Sequence, residues 1–197
     1  MHREKRKPVE GFTASAKKSL VLIFAVWLLL FPTLSPFEPH HANAHTLLQN
    51  IFNLYFFIVN QTLGIIHEAG HGVCYLLPCP EALMVANGTL FQVGFPLLAG
   101  YYYKKRGDLF ALYIAYFFTG FSLQYTAWYI STAHEGLILP ASKSFLGVDG
   151  YHDFNYLLDA VGLLPYDSVI SGIVRGAAYL LMLSAVVKMF FYAYKGK

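Results

Sequence analysis

The chain has 197 residues, 56% of them apolar and 17% aromatic, with only 13% charged, against roughly 45–50% apolar and 25% charged in an average soluble domain. These proportions exclude a disordered chain. The net charge of +3, with 6 of the 14 Lys and Arg packed into the first 18 residues, argues against a nucleic-acid partner, and the abundance of Tyr and Phe points to an integral membrane protein whose partner is the lipid bilayer.

Residues 1–18 are basic, carrying Arg3, Lys5, Arg6, Lys7, Lys17 and Lys18, and an apolar run follows from Ser19 to Leu34. Charge followed by hydrophobe reads as a signal peptide or a signal anchor. Ala42-Asn43-Ala44 has the small residues of a cleavage site, but it lies far beyond the apolar run, with Pro32, Pro36 and Pro39 between. The reading adopted is an uncleaved first span with a cytoplasmic N-terminus. His40, His41 and His45 then fall in an exposed loop.

A second apolar segment runs from about Leu47 to Leu77, long enough to cross a bilayer, which takes roughly 20 residues. Its second half carries Asn60, Gln61, His67, Glu68 and His71, and Pro78 and Pro80 end it. A third runs from Leu83 to Tyr103 and closes on Lys104, Lys105 and Arg106. Within it, Val85 to Thr89 reads as a turn or short hairpin, because Asn87-Gly88 is a strong turn signal. A fourth covers Leu109 to Ile130, and a fifth about Gly176 to Tyr194. Between these two, residues 131–169 are mixed, with a short amphipathic helix expected from Phe154 to Leu164 and Asp153 as its N-cap.

The fold expected is thus an all-α, polytopic membrane bundle of four or five spans. The third segment either crosses or re-enters. If all five cross with the N-terminus inside, Lys104 to Arg106, Lys195 and Lys197 fall outside, against the positive-inside bias; if the third dips and returns, they join the basic N-terminus.

The chemistry is concentrated in His67-Glu68-Ala69-Gly70-His71. Residues four apart on a helix share a face, so the two imidazoles can bind one zinc ion, and Glu68 can act as general base on a metal-activated water. An ionisable residue inside an apolar segment is expensive and points to function; the competing reading is a hydrogen-bonded polar cluster between helices. A catalytic zinc takes a third protein ligand. His152 is the first choice, because imidazole is a preferred ligand. Asp149 and Asp153 are its rivals, Asp153 also as a hydrogen-bond partner of His152. Asn87, Thr89, Gln92 and Gln124 can line such a site, the amides holding an oxyanion or, for Gln124 above all, bonding between helices. Gly64, Gly70 and Gly72 permit close helix packing. Cys74 and Cys79 cannot build a disulfide framework, and Cys74 reads as a small packing residue rather than a soft ligand.

The stretch Ile65-Ile66-His67-Glu68-Ala69-Gly70-His71-Gly72 resembles the intramembrane zinc metalloproteases of the site-two protease family. The resemblance implies zinc on His67 and His71, Glu68 as catalytic base, and membrane-anchored protein substrates. That family takes its third ligand from an Asp-Gly pair, which Asp149-Gly150 can match. The chain is also similar, over about residues 60–185, to a bacterial group of small membrane proteins related to that family. The shared elements read here as His67 to His71, Gly88-Thr89-Leu90-Phe91-Gln92, and His152-Asp153 running to Leu157-Leu158. This second likeness favours His152 or Asp153 over Asp149. Residues 1–45 then form a basic N-terminus with a signal-anchor span, and residues 46–197 a membrane-embedded metalloprotease-like domain. The rival functions are a non-proteolytic zinc scaffold or chaperone, and a metal or proton transporter.

Overall fold

The computed structural model describes residues 12–35, 46–139 and 150–195. Asp149, the cleavage-site candidate at 42–44 and the histidines at 40, 41 and 45 lie outside the described residues. The architecture is all-helical: α1 (Ala14–Leu34), α2 (Leu47–Leu76), α3 (Glu81–Lys105), α4 (Leu109–Ser131), the short α5 (Asp153–Ala160) and α6 (Asp167–Lys195). Side-chain oxygens cap three of the N-termini. Thr13 accepts from Ala16 N at 3.2 Å, Thr46 from Gln49 N at 3.2 Å and Asp108 from Ala111 N at 3.0 Å, satisfying amides that a helix start leaves open.

Three helices, α1, α3 and the stretch Leu164–Lys195, are long and apolar enough to cross a membrane. The 30-residue α2 carries the amide pairs Gln49-Asn50 and Asn60-Gln61 ahead of His67. The 23-residue α4 is the most enclosed element, packed along α3 and α6 and met by α1 through Phe24 against Phe117. Phe31, Phe117, Phe121, Met182 and Met189 meet there with no exposed surface. Lipid tails are as apolar as these side chains, so packing density and close backbone approach hold such a bundle together. Small residues provide that approach. A Cβ at Gly100 would lie 2.9 Å from Ala115 Cβ, and one at Gly120 would lie 2.5 Å from Met182 Cγ and 2.9 Å from Ala178 O.

Two expectations change here. Val85 to Thr89 is not a hairpin: Asn87 and Gly88 sit inside the continuous helix α3. The turn propensity of Asn-Gly is overridden because both residues face α2, where a larger side chain in place of the glycine would not fit. The last helix begins at Asp167, well before Gly176. Its polar first turns are held by tertiary contacts: His134 pairs with Asp167, and Ser171 Oγ donates to Ala127 O at 2.6 Å. Between α4 and α5 a two-residue antiparallel pair, Ile138 with Tyr151 and Leu139 with Gly150, brings the chain back to the bundle.

Substituting Gly120 by Ala should destabilise the α4–α6 contact by about 1–3 kcal/mol, the usual range for overpacking, because backbone as well as side chain must move. Thermal unfolding in detergent should show the loss, and an unchanged midpoint would refute this packing account.

Candidate metal centre

Three elements meet at the centre. His67 and His71 stand one turn apart on α2, buried and half-buried. α3 packs against that face, and α5 brings Asp153 from above. Nε2 of His67 lies 2.9 Å and Nε2 of His71 3.3 Å from Asp153 Oδ2. One donor atom from each of the three residues falls within 4.8 Å of the other two. Tetrahedral zinc bonds of about 2.0–2.1 Å would set neighbouring donors about 3.3 Å apart.

The outer nitrogens show why these atoms converge. His67 Nδ1 donates to Gln92 Oε1 at 3.1 Å, and His71 Nδ1 donates to the Met84 carbonyl at 2.8 Å. Each ring hydrogen is thereby committed to α3, which leaves the Nε2 lone pairs turned toward the Asp153 carboxylate. Gln92 is held in turn by Ser122 of α4, donating through Nε2 to its Oγ at 3.2 Å and its carbonyl at 3.4 Å. A neutral imidazole nitrogen and a carboxylate oxygen both offer electron pairs, so this grouping calls for a cation, either a proton or a metal ion. Oriented outer nitrogens are the usual accompaniment of metal-binding histidines.

Space for the ion comes from Gly88. A Cβ there would stand 2.5 Å from His71 Nε2 and 2.6 Å from His67 Nε2, inside the volume that the three donors surround. Gly70 lets α3 approach: a Cβ on it would lie 2.4 Å from the Asn87 carbonyl oxygen, and Asn87 Nδ2 donates to Gly70 O at 2.6 Å. The donor set and its gap fit a zinc-sized ion.

The third donor is Asp153, one of the three residues between which the sequence left the choice. His152 does not join it. Its ring stacks on Tyr129 at 4.5 Å, its Nε2 meets Thr132 Oγ1 at 3.1 Å, and its Nδ1 accepts from Asn155 N at 3.4 Å as the cap of α5. His152 is therefore the N-cap, and Asp153 the first helical residue. Both His152 nitrogens are occupied, and burial pushes its pKa below the ordinary histidine value. Burial works against the Asp153 charge too; when protons are the cation between the groups, hydrogen bonds and charge from the imidazolium forms of His67 and His71 outweigh it and hold that carboxyl below the usual carboxylate range.

Glu68 is exposed on α2, and its charge acts on His71, Tyr125 and Tyr129. Gln92, expected as an oxyanion donor or an interhelical bond, makes interhelical bonds, to His67 of α2 and Ser122 of α4, and through the first it orients His67. Gln124 is fully buried and makes no hydrogen bond among the described residues, contrary to the interhelical bond expected of it. Two contributors escaped sequence reading. One is the Met84 carbonyl, which carries no side-chain signal. The other is Tyr129, whose hydroxyl accepts from Asp153 N at 3.2 Å and so fixes the start of α5. Cys74 is not an isolated packing residue: it is joined to Cys79 in a disulfide.

No family model, curated protein or solved structure matches this chain.

Gly88→Ala should abolish stoichiometric metal binding, because the added Cβ drives both rings off their Gln92 and Met84 O hydrogen bonds; the roughly 1 kcal/mol by which Ala is favoured over Gly inside a helix offsets part of that loss of stability. Gln92→Leu should weaken metal affinity by about 10–100-fold. Elemental analysis after dialysis, paired with a thermal melt, checks both; a Gly88→Ala protein that keeps full metal would remove the case for the gap.

Proposed function

We propose that this chain is a multi-pass protein of a prokaryotic inner membrane that holds one zinc ion and hydrolyses peptide bonds of membrane-anchored protein substrates. The observation that carries the reading is the convergence of His67 Nε2, His71 Nε2 and Asp153 Oδ2 with both Nδ1 atoms engaged elsewhere, on the helix that also presents Glu68. Two imidazoles and one carboxylate are a known ligand set of catalytic zinc, which keeps its fourth position open. A zinc bound there would lower the pKa of a water and polarise a substrate carbonyl. The likeness of Ile65 to Gly72 to the site-two proteases supports the same assignment.

The protein residues divide the work. His67, His71 and Asp153 hold the ion. Gln92 and Met84 O keep the two rings in the tautomer that presents Nε2. Glu68, adjacent to His67 and outside the ligand set, takes the proton from the attacking water and passes it to the leaving amine. An apolar groove of about 830 Å3 runs between α1, α2, α3 and α4, and its wall includes Leu63 and Ile66, the turn that leads into His67. It gives an apolar segment of a membrane-anchored substrate room beside the centre.

Purified wild type should contain one zinc per chain, and His67→Ala and Asp153→Ala should contain none. His152→Ala should keep the metal, at some loss of stability from the missing cap. Glu68→Gln should retain zinc and lose about 10²–10⁴-fold in cleavage of a membrane-anchored reporter, the range for a general base. Wild type without stoichiometric zinc would end the hydrolase reading. Zinc with undiminished cleavage in Glu68→Gln would end the role of Glu68, and metal flux into liposomes would favour a transporter.

A further inference from the structure

Two features of the molecule, neither of them part of the metal centre, bear on which side of the membrane the centre serves. The first is charge. Lys17 lies over the rings of Phe110 and Tyr192 at 5.9 and 5.0 Å, and Lys18 lies over Tyr194 at 5.2 Å. The start of α1 therefore shares one end of the bundle with the start of α4 and the end of α6. Lys104, Lys105 and Arg106 close α3 at this same end, joined to α4 by the turn at Gly107, and Lys195 is there too. The opposite end holds Glu81 at the start of α3, Glu135 after α4, Asp153 and Asp159 on α5, and Asp167 at the start of α6. Among the described residues, Arg175 is the one Lys or Arg toward the acidic end and Asp108 the one Asp or Glu at the basic end.

The second feature is the disulfide between Cys74 and Cys79. It ties the last turn of α2 to the Pro78–Pro80 link and so sits at the acidic end, beside the start of α3. Met84, whose carbonyl orients His71, follows within one turn of that start.

Each feature assigns a side by separate physics. Lys and Arg accumulate in the loops that stay in the cytoplasm. Disulfides persist in oxidising compartments, whereas cytosolic thiols are kept reduced. Both place the basic end inside and the acidic end outside. We infer that the His67–His71–Asp153 centre lies toward the oxidising, extracytoplasmic face of the membrane. Resting on the hydrolase reading, this makes the substrates segments of membrane-anchored proteins that emerge on that face. It also puts the basic cluster at 104–106, which closes the continuous helix α3, on the same side as the start of α1.

The test uses the full chain in intact cells. Asp159→Cys and Lys104→Cys, both at exposed positions, are treated with a membrane-impermeant maleimide before and after the membrane is opened. Asp159→Cys should label in intact cells and Lys104→Cys only after opening; the reverse pattern overturns the inference. The unsubstituted chain, acid-trapped and denatured, should take up no alkylating groups without reductant and two with it; two groups without reductant also overturn it. These readouts need no metal. Reversed labelling with zinc and cleavage intact would therefore sink the orientation alone, and a zinc-free protein with the expected labelling would sink the hydrolase reading alone.

Discussion

The centre depends on where two imidazole hydrogens go. Had His67 and His71 been free to rotate, each ring would have two nitrogens to offer and no reason to point either at its neighbour. The Gln92 amide and the Met84 carbonyl remove that freedom by accepting from Nδ1. Three electron-pair donors are then left facing one small volume, a grouping that is electrostatically unfavourable without a cation between them. The geometry is thus built ahead of any ion, and its support comes from α3 and, through Ser122, from the central helix α4.

That support requires unusually close helix contact. Gly70 and Gly88 face the same interface from opposite sides, Gly70 admitting the Asn87 carbonyl and Gly88 leaving the space between the rings. In a bilayer the association of helices rests on such packing and on interhelical hydrogen bonds, since lipid and side chain are equally apolar. The small residues that let α3 meet α2 therefore serve stability and chemistry together. The disulfide at the neighbouring corner closes a short loop at the end of this helix pair, where Pro78 and Pro80 deny the chain helical hydrogen bonds.

Much of this was readable beforehand. The apolar lengths placed the five long helices, four of them within about five residues at either end, because a long hydrophobic run with a capping residue leaves few alternatives. The spacing of His67 and His71 announced a shared face on one helix. Less was readable where local and tertiary preferences compete. Asn87-Gly88 carries a turn signal that a single sequence cannot weigh against burial under α2. The start of α6 is polar and is helical through its contacts with His134 and Ala127. His152 and Asp153 are adjacent, and nothing in their order tells which is the cap and which the ligand.

The amino-acid sequence by itself determined the long apolar helices and the pair of imidazoles, because hydrophobic length and the four-residue helical repeat act locally along the chain. The tertiary structure alone decided the third donor, the orientation of both rings and the gap that Gly88 leaves between them. Those depend on Asp153, Gln92 and Gly88, which lie 17 to 86 residues away from the imidazoles they serve, and only the packing of α3 and α5 against α2 brings them within bonding distance.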